Sequence, residues 1–162
     1  MVKHLIVLSA ASLGLAVVGS SQQAAPSVSG PDVIAARQAS LDMSSITLRS
    51  VRDALSAGRE AKTQAYAATA LAKWAKALPR MFPAGTGAGE TSADTQALPA
   101  VWRDRAGFEQ AAANYADATA KLATLAASND AAACAKQLDE VDQACNACHS
   151  RYKAGAQGPP KR

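Results

Sequence analysis

The sequence predicts an all-α protein, an antiparallel four-helix bundle in a single domain. Three observations carry that expectation. Alanine recurs throughout, aromatic residues make up only 4% of the chain and β-branched runs are absent, a balance that favours helix over strand. Apolar residues return at seven-residue intervals in the first and third periodic segments. Glycine, proline and capping residues fall between the periodic segments, where helices must stop and start.

Residues 1–25 are expected to be a secretory signal peptide. Lys3 and His4 form a short basic start, Leu5 to Val18 an apolar run, and Gly19, Ser20 and Ser21 a small-residue stretch before polar sequence. The run is too short for a comfortable transmembrane helix, so no stable membrane insertion is expected. Residues 26–153 form the domain and residues 154–162 (A-G-A-Q-G-P-P-K-R) a disordered tail.

The first helix spans about Asp32 to Ala57, with Ile34, Leu41, Leu48 and Leu55 a heptad apart, Val51 filling the i+3 site and Gly58 available to end it. The second runs from about Arg59 to Leu78. Its stripe of Leu71, Trp74 and Leu78 is flanked by Ala61, Ala65, Ala68 and Ala72, and Pro79 and Pro83 stop it. Residues 84–98 read as a long connection rich in Gly, Ser, Thr and Ala, of the kind that is functional or mobile. Its G-T-G-A-G run lacks the preceding strand and following Lys-Ser/Thr of a phosphate loop. Pro99 opens a third helix marked by Val101, Phe108, Tyr115 and Leu122, with Leu125 added. After Ser128, Asn129 and Asp130 the fourth helix carries Cys134, Leu138, Val141, Cys145, Cys148 and Tyr152 at alternating spacings of four and three, a bundle seam.

Net charge is +4, falling to +3 once Lys3 leaves with the signal segment. A surplus so small, without a dense basic run, argues against nucleic acid as a partner.

The chemistry concentrates at C-N-A-C-H, residues 145–149. On a helix, Cys145 and Cys148 lie one turn apart on one face with His149 beside them. Two thiols can each add to a vinyl group of a porphyrin while the following imidazole reaches the iron, which is the C-x-x-C-H pattern of covalent haem attachment. A thioredoxin-like thiol pair would want neighbouring strands, and a zinc site four converging ligands, with Cys134 the only further thiol; neither context is offered. Cys134 reads instead as a small buried hydrophobe. One covalently attached haem c per chain is expected.

The terminal C-N-A-C-H-S-R-Y-K (145–153), with A-R-Q-A-S-L (36–41), A-L-P-R-M-F-P (77–83) and V-W (101–102), resembles the class II c-type cytochromes, the cytochrome c′ group, over residues 32–153. The resemblance implies a periplasmic four-helix bundle, often a homodimer, with haem on its last helix. It further implies that Arg37 could pair with a haem propionate, that Phe82 and Trp102 pack on the porphyrin, and that Lys153 sits beside the proximal imidazole of His149.

The sixth position on the iron separates two functions. Without His4, His149 is the only histidine, so a second imidazole is unavailable within one chain. In the five-coordinate members of the family an arginine is followed four residues later by an apolar residue over the vacant iron face, a spacing that Arg37 and Leu41 match. Such an iron binds small diatomic gases such as NO or CO. In the low-spin, electron-carrying members a methionine fills that place, and Met43 and Met81 are the candidates. Met43 lies two residues, about 200° of helix, beyond Leu41, and with Ala39 and Ile46 it reads otherwise as a second apolar face suited to a dimer contact. The L-P-R-M-F-P stretch looks more like the low-spin members, and the spacing from Leu41 to Gly58 departs by one residue from the family's. Both readings therefore stand at this level, Leu41 favoured. The expected partners are diatomic gases, periplasmic redox proteins or both; no catalytic residue, and so no enzyme, is expected.

Overall fold

The computed structural model describes residues 28–155. The signal segment and all but the first two residues of the expected tail lie outside them. Five helices occur in this range: α1 (Gly30–Ser56), α2 (Ala65–Ala77), α3 (Ala100–Arg103), α4 (Arg105–Ala127) and α5 (Ala131–Tyr152). The four longer ones close into a ring, α1 against α2, α2 against α4, α4 against α5 and α5 against α1. Among the described residues the only β pairing is one bridge, Ala97 with Lys153.

Each end of α1 has a sequence cause. Ser29 caps it in a capping box with Asp32, and Pro31 stands in its first turn, where a missing N–H costs nothing. At the other end Gly58 adopts φ +73°, and the amides of Gly58 and Arg59 return to the carbonyls of Leu55 and Ala54. That closure satisfies carbonyls which would otherwise be orphaned. Asn129 performs the same service after α4 at φ 61°, and its side chain also accepts from the Lys62 amide.

Two expected helices are divided in the structure. The second begins with a 3-10 turn, Ala61–Gln64, before α2 and ends in another, Leu78–Met81. Its inward face is the alanine stripe of Ala61, Ala68, Ala72 and Ala75 together with Leu71 and Leu78, while Trp74 is only partly buried at the edge. The third is interrupted at Asp104 (φ −112°, ψ 56°), which ends α3 and caps α4 by accepting from the Gly107 amide at 3.2 Å. An aspartate can offer the backbone this alternative to helix, which heptad counting does not register.

The core follows the predicted seams, with Ile34, Val51, Val101, Phe108, Leu122, Leu138 and Val141 each no more than 2% exposed. Burying such side chains contributes roughly 1.5–3 kcal/mol apiece before entropy is counted. The seam of α1 also contains polar residues. Arg37 and Ser44 are buried between the apolar heptad positions.

Candidate haem site

One cavity of about 470 Å³ opens among α1, α4, α5 and the loop before α3. Cys145, Cys148 and His149 line it from α5, and Lys153 from just beyond that helix. Arg37, Leu41 and Ser44 reach it from α1, and Phe108, Ala112 and Tyr115 from α4. The loop contributes Phe82, Thr95, Gln96 and Ala97.

The α5 wall has the electrostatics of a protonated thiol pair beside a neutral imidazole. Burial, then the nearby Asp142 and Cys148, pushes the Cys145 thiol up to about 12. Burial alone raises Cys148. Thiols held this way are poor thiolate nucleophiles, unlike a redox-active C-x-x-C pair. The His149 imidazole is shifted down, first by burial and then by the charge of Lys153, so its ring keeps a lone pair to donate. Cys134 is 1% exposed, absent from the cavity lining, and likewise raised by burial.

The donor set fits a covalently held haem. Two thiols a helical turn apart and a neutral imidazole share one wall, and much of the opposing surface is Leu41, Leu78, Phe82, Val101 and Phe108.

Leu41 and Met43 part company here. Leu41 lines the cavity and packs against the core, whereas Met43 is 67% exposed and absent from the lining. Met81 packs against the core from the 3-10 turn and is also absent from the lining.

Arg37 is 1% exposed, and its terminal nitrogens are spent on the chain ahead of α3. Nη1 donates to the Thr86 hydroxyl (2.9 Å) and the Met81 carbonyl (3.4 Å); Nη2 donates to the Thr86 carbonyl (2.8 Å) and the Thr95 hydroxyl (2.7 Å). The guanidinium carbon lies 4.5 Å from the centre of the Phe82 ring. Among the described residues no carboxylate pairs with it, and burial lowers its pKa.

Trp102, which the resemblance assigns to the porphyrin, lies one layer behind the cavity wall. It is absent from the cavity lining and stands behind Phe82, ring centres 6.4 Å apart, donating from Nε1 to the Pro83 carbonyl at 3.0 Å. Arg105 serves the same turn, reaching the Phe82 and Pro79 carbonyls. Pro79 and Pro83 break regular structure, so the carbonyls around them need donors from elsewhere, and Arg37, Arg105 and Trp102 provide them.

Several site residues escaped sequence reasoning. Tyr115 belongs to the core seam and also lines the cavity; burial and then Cys145 push its phenol up to about 12, while the Ser44 hydroxyl opposes the shift. Ser44 donates back to the Ser40 carbonyl, which lets a polar residue sit buried within a helix. The one available signal was spacing, since Arg37, Ser44 and Val51 also recur by sevens beside the apolar series.

The C-terminal turn of α5 is anchored by Asp104. Its Oδ2 accepts from the Tyr152 hydroxyl (2.8 Å) and Arg151 (2.7 Å), and Tyr152 is 3% exposed, edge-on to Phe108. Beyond it the backbone is stitched to the loop, with the Leu98 amide donating to the Tyr152 carbonyl and the Ala154 amide to the Gln96 carbonyl.

An all-helical ring with a thiol pair and imidazole on its last helix defines a c-type cytochrome of the bundle class. The chain matches the family described as Cytochrome C' over residues 32–153 and belongs to it, and covalently bound haem c is the cofactor of that family. It is 34% identical over 145 residues to a cytochrome c' of Rhodopseudomonas palustris, covering 87% of this chain and 92% of that one. A cytochrome c' of Rhodospirillum rubrum is 39% identical over 87 residues, 54% of this chain and 57% of that protein's length. Among solved structures, cytochrome c' from Rubrivivax gelatinosus superposes with a TM-score of 0.68 at 28% identity, covering 76% of this chain and 96% of that one.

Proposed function

We propose that this protein is a periplasmic cytochrome c′ whose iron is five-coordinate and takes up small diatomic gases. In this reading Cys145 and Cys148 hold the haem by thioether links and His149 ligates the metal. Bound haem supplies an iron that exchanges one electron and offers a coordination position to a small ligand. The side chains do the rest. His149, kept neutral by burial and by Lys153, donates its ring nitrogen. Leu41 contributes a branched alkyl group with no lone pair, which crowds the site and leaves the metal without a protein ligand there.

The observation carrying this reading is that Leu41 lines the cavity with His149 while Met43 is directed to solvent. A low-spin electron carrier ligated by Met43 is the alternative, and it would require α1 to turn. The exposed Met43 and Ile46 on α1 suit a homodimer contact, where they would be covered. Export rests on the expected signal segment. Among the described residues no helix is long and apolar enough to cross a membrane. The reading is one of binding, not catalysis.

The test is an absorption spectrum of the reduced holoprotein with and without CO. A high-spin spectrum that shifts on CO addition is expected. Sharp six-coordinate bands indifferent to CO would transfer the assignment to Met43.

A further inference from the structure

The haem reading leaves one feature of the cavity without a role: a buried arginine whose terminal donors all engage chain 81–95. Charge–propionate pairing is the use implied by family resemblance, yet Nη1 and Nη2 together make four hydrogen bonds within the protein, leaving Nε as the guanidinium's remaining donor.

The partners are informative. Thr86 is 2% exposed and offers both its hydroxyl and its carbonyl to Arg37, while its own hydroxyl proton goes to the Pro83 carbonyl at 2.8 Å. Thr95, nine residues on, contributes its hydroxyl and also accepts from the Ala97 amide at 3.2 Å. A single planar group thus ties both ends of the G-T-G-A-G-E-T-S-A-D-T segment to α1. Thr95, Gln96 and Ala97 form part of the cavity wall. Leu41 stands one helical turn from Arg37 on the same face, so the clasp and the side chain over the proposed ligand position share one stretch of backbone. Gln38, adjacent to Arg37, adds a bond to the Asp94 carbonyl at 3.0 Å.

We propose that Arg37 is a positioning residue that clasps residues 81–95 against α1, and that this clasp sets the cavity wall and the rate at which a small ligand enters. Its fork geometry performs the work. A lysine ammonium keeps the charge but cannot reach two threonines and two carbonyls from one planar group. The ligand-entry part rests on the haem-binding function proposed above; the clasp itself does not.

Three full-length holoprotein variants test it: Arg37→Lys, Arg37→Gln, and the double change Thr86→Val with Thr95→Val, which leaves Arg37 in place. Amide hydrogen exchange over residues 84–94 reads the clasp, and CO association with the reduced protein reads entry. Hydrogen bonds to a charged group are strong enough that exchange should accelerate by about tenfold or more in all three variants. CO association should accelerate in the same three. Wild-type exchange in the double threonine variant, or its restoration by Arg37→Lys, would overturn the clasp and return Arg37 to a purely electrostatic role. Faster exchange with unchanged CO association would overturn the entry claim. A purified chain without haem would sink the proposed function instead, and the exchange arm would still decide the clasp.

Discussion

Leu41 and Met43 are separated by one residue on α1, yet Leu41 lines the cavity shared with His149 and Met43 is 67% exposed. Helical geometry alone turns the second side chain about 200° from the first. Met43→Leu is therefore expected to leave the haem spectrum unchanged. Leu41→Met, a swap of similar volume costing under about 1.5 kcal/mol in packing, should bring a thioether into the cavity and shift the reduced spectrum toward low spin. Conversion to high spin on Met43→Leu would reverse the assignment.

Each of the two thiols is expected to be dispensable for folding, and either one alone is expected to keep the haem attached. Cys145→Ala and Cys148→Ala should each leave one thioether link, detectable as a shifted pyridine haemochrome band, and the pair together should release haem to acidic organic solvent. Mass spectrometry of each single variant should still show the haem increment, and its loss in a single variant would contradict attachment through both sulfurs.

Asp104 predicts a pH dependence. The Tyr152 hydroxyl first, with the Gly107 amide and Arg151, holds its carboxyl below the ordinary value against the opposing effect of burial, which is the second-largest influence. A depressed folded-state value means its stabilisation is present above the unfolded carboxylate range and is lost as pH falls through the folded value. Asp104→Asn should accordingly flatten the acid limb of a stability–pH curve below about pH 4, with little change in its shape near neutrality. An unchanged acid limb would remove Asp104 from the account.

Gly107 is the companion constraint. A Cβ there would meet the Asp104 carboxylate and lie 2.6 Å from the Tyr152 hydroxyl. Gly107→Ala should cost roughly 1–3 kcal/mol by crowding, despite alanine's better helix propensity, as read by thermal unfolding. A gain in stability would show that the anchor yields easily.

The bundle was legible because its seams are apolar and periodic. Ile34, Leu48, Phe108, Leu122 and Val141 needed nothing but counting, and C-N-A-C-H carried its chemistry in its spacing. What stayed hidden shares one property, that polar side chains hold non-periodic backbone. Asp104 breaks a helix by capping the next, so one expected helix became α3 and α4. Arg37, Trp102 and the L-P-R-M-F-P turn are separate points of resemblance in the sequence, and only the fold shows Arg37 and Trp102 donating to neighbouring carbonyls of that turn, Met81 and Pro83. Ser44 and Tyr115 stay opaque because a serine carries no apolar signal and a seam tyrosine reads as core, whereas a cavity borders both.

The pairing of residues 96–98 with 152–154 acts as a fastening between loop and helix. Those bonds join positions more than fifty residues apart, the later ones being the last residue of α5 and the two that follow it. That strip fastens Gln96 and Ala97, which border the cavity, to the end of the helix carrying Cys145, Cys148 and His149, so opposite sides of the cavity are hemmed together by one short run of backbone. A chain shortened to end at Arg151 should accordingly leave the amides of Leu98 and its neighbours unprotected against exchange.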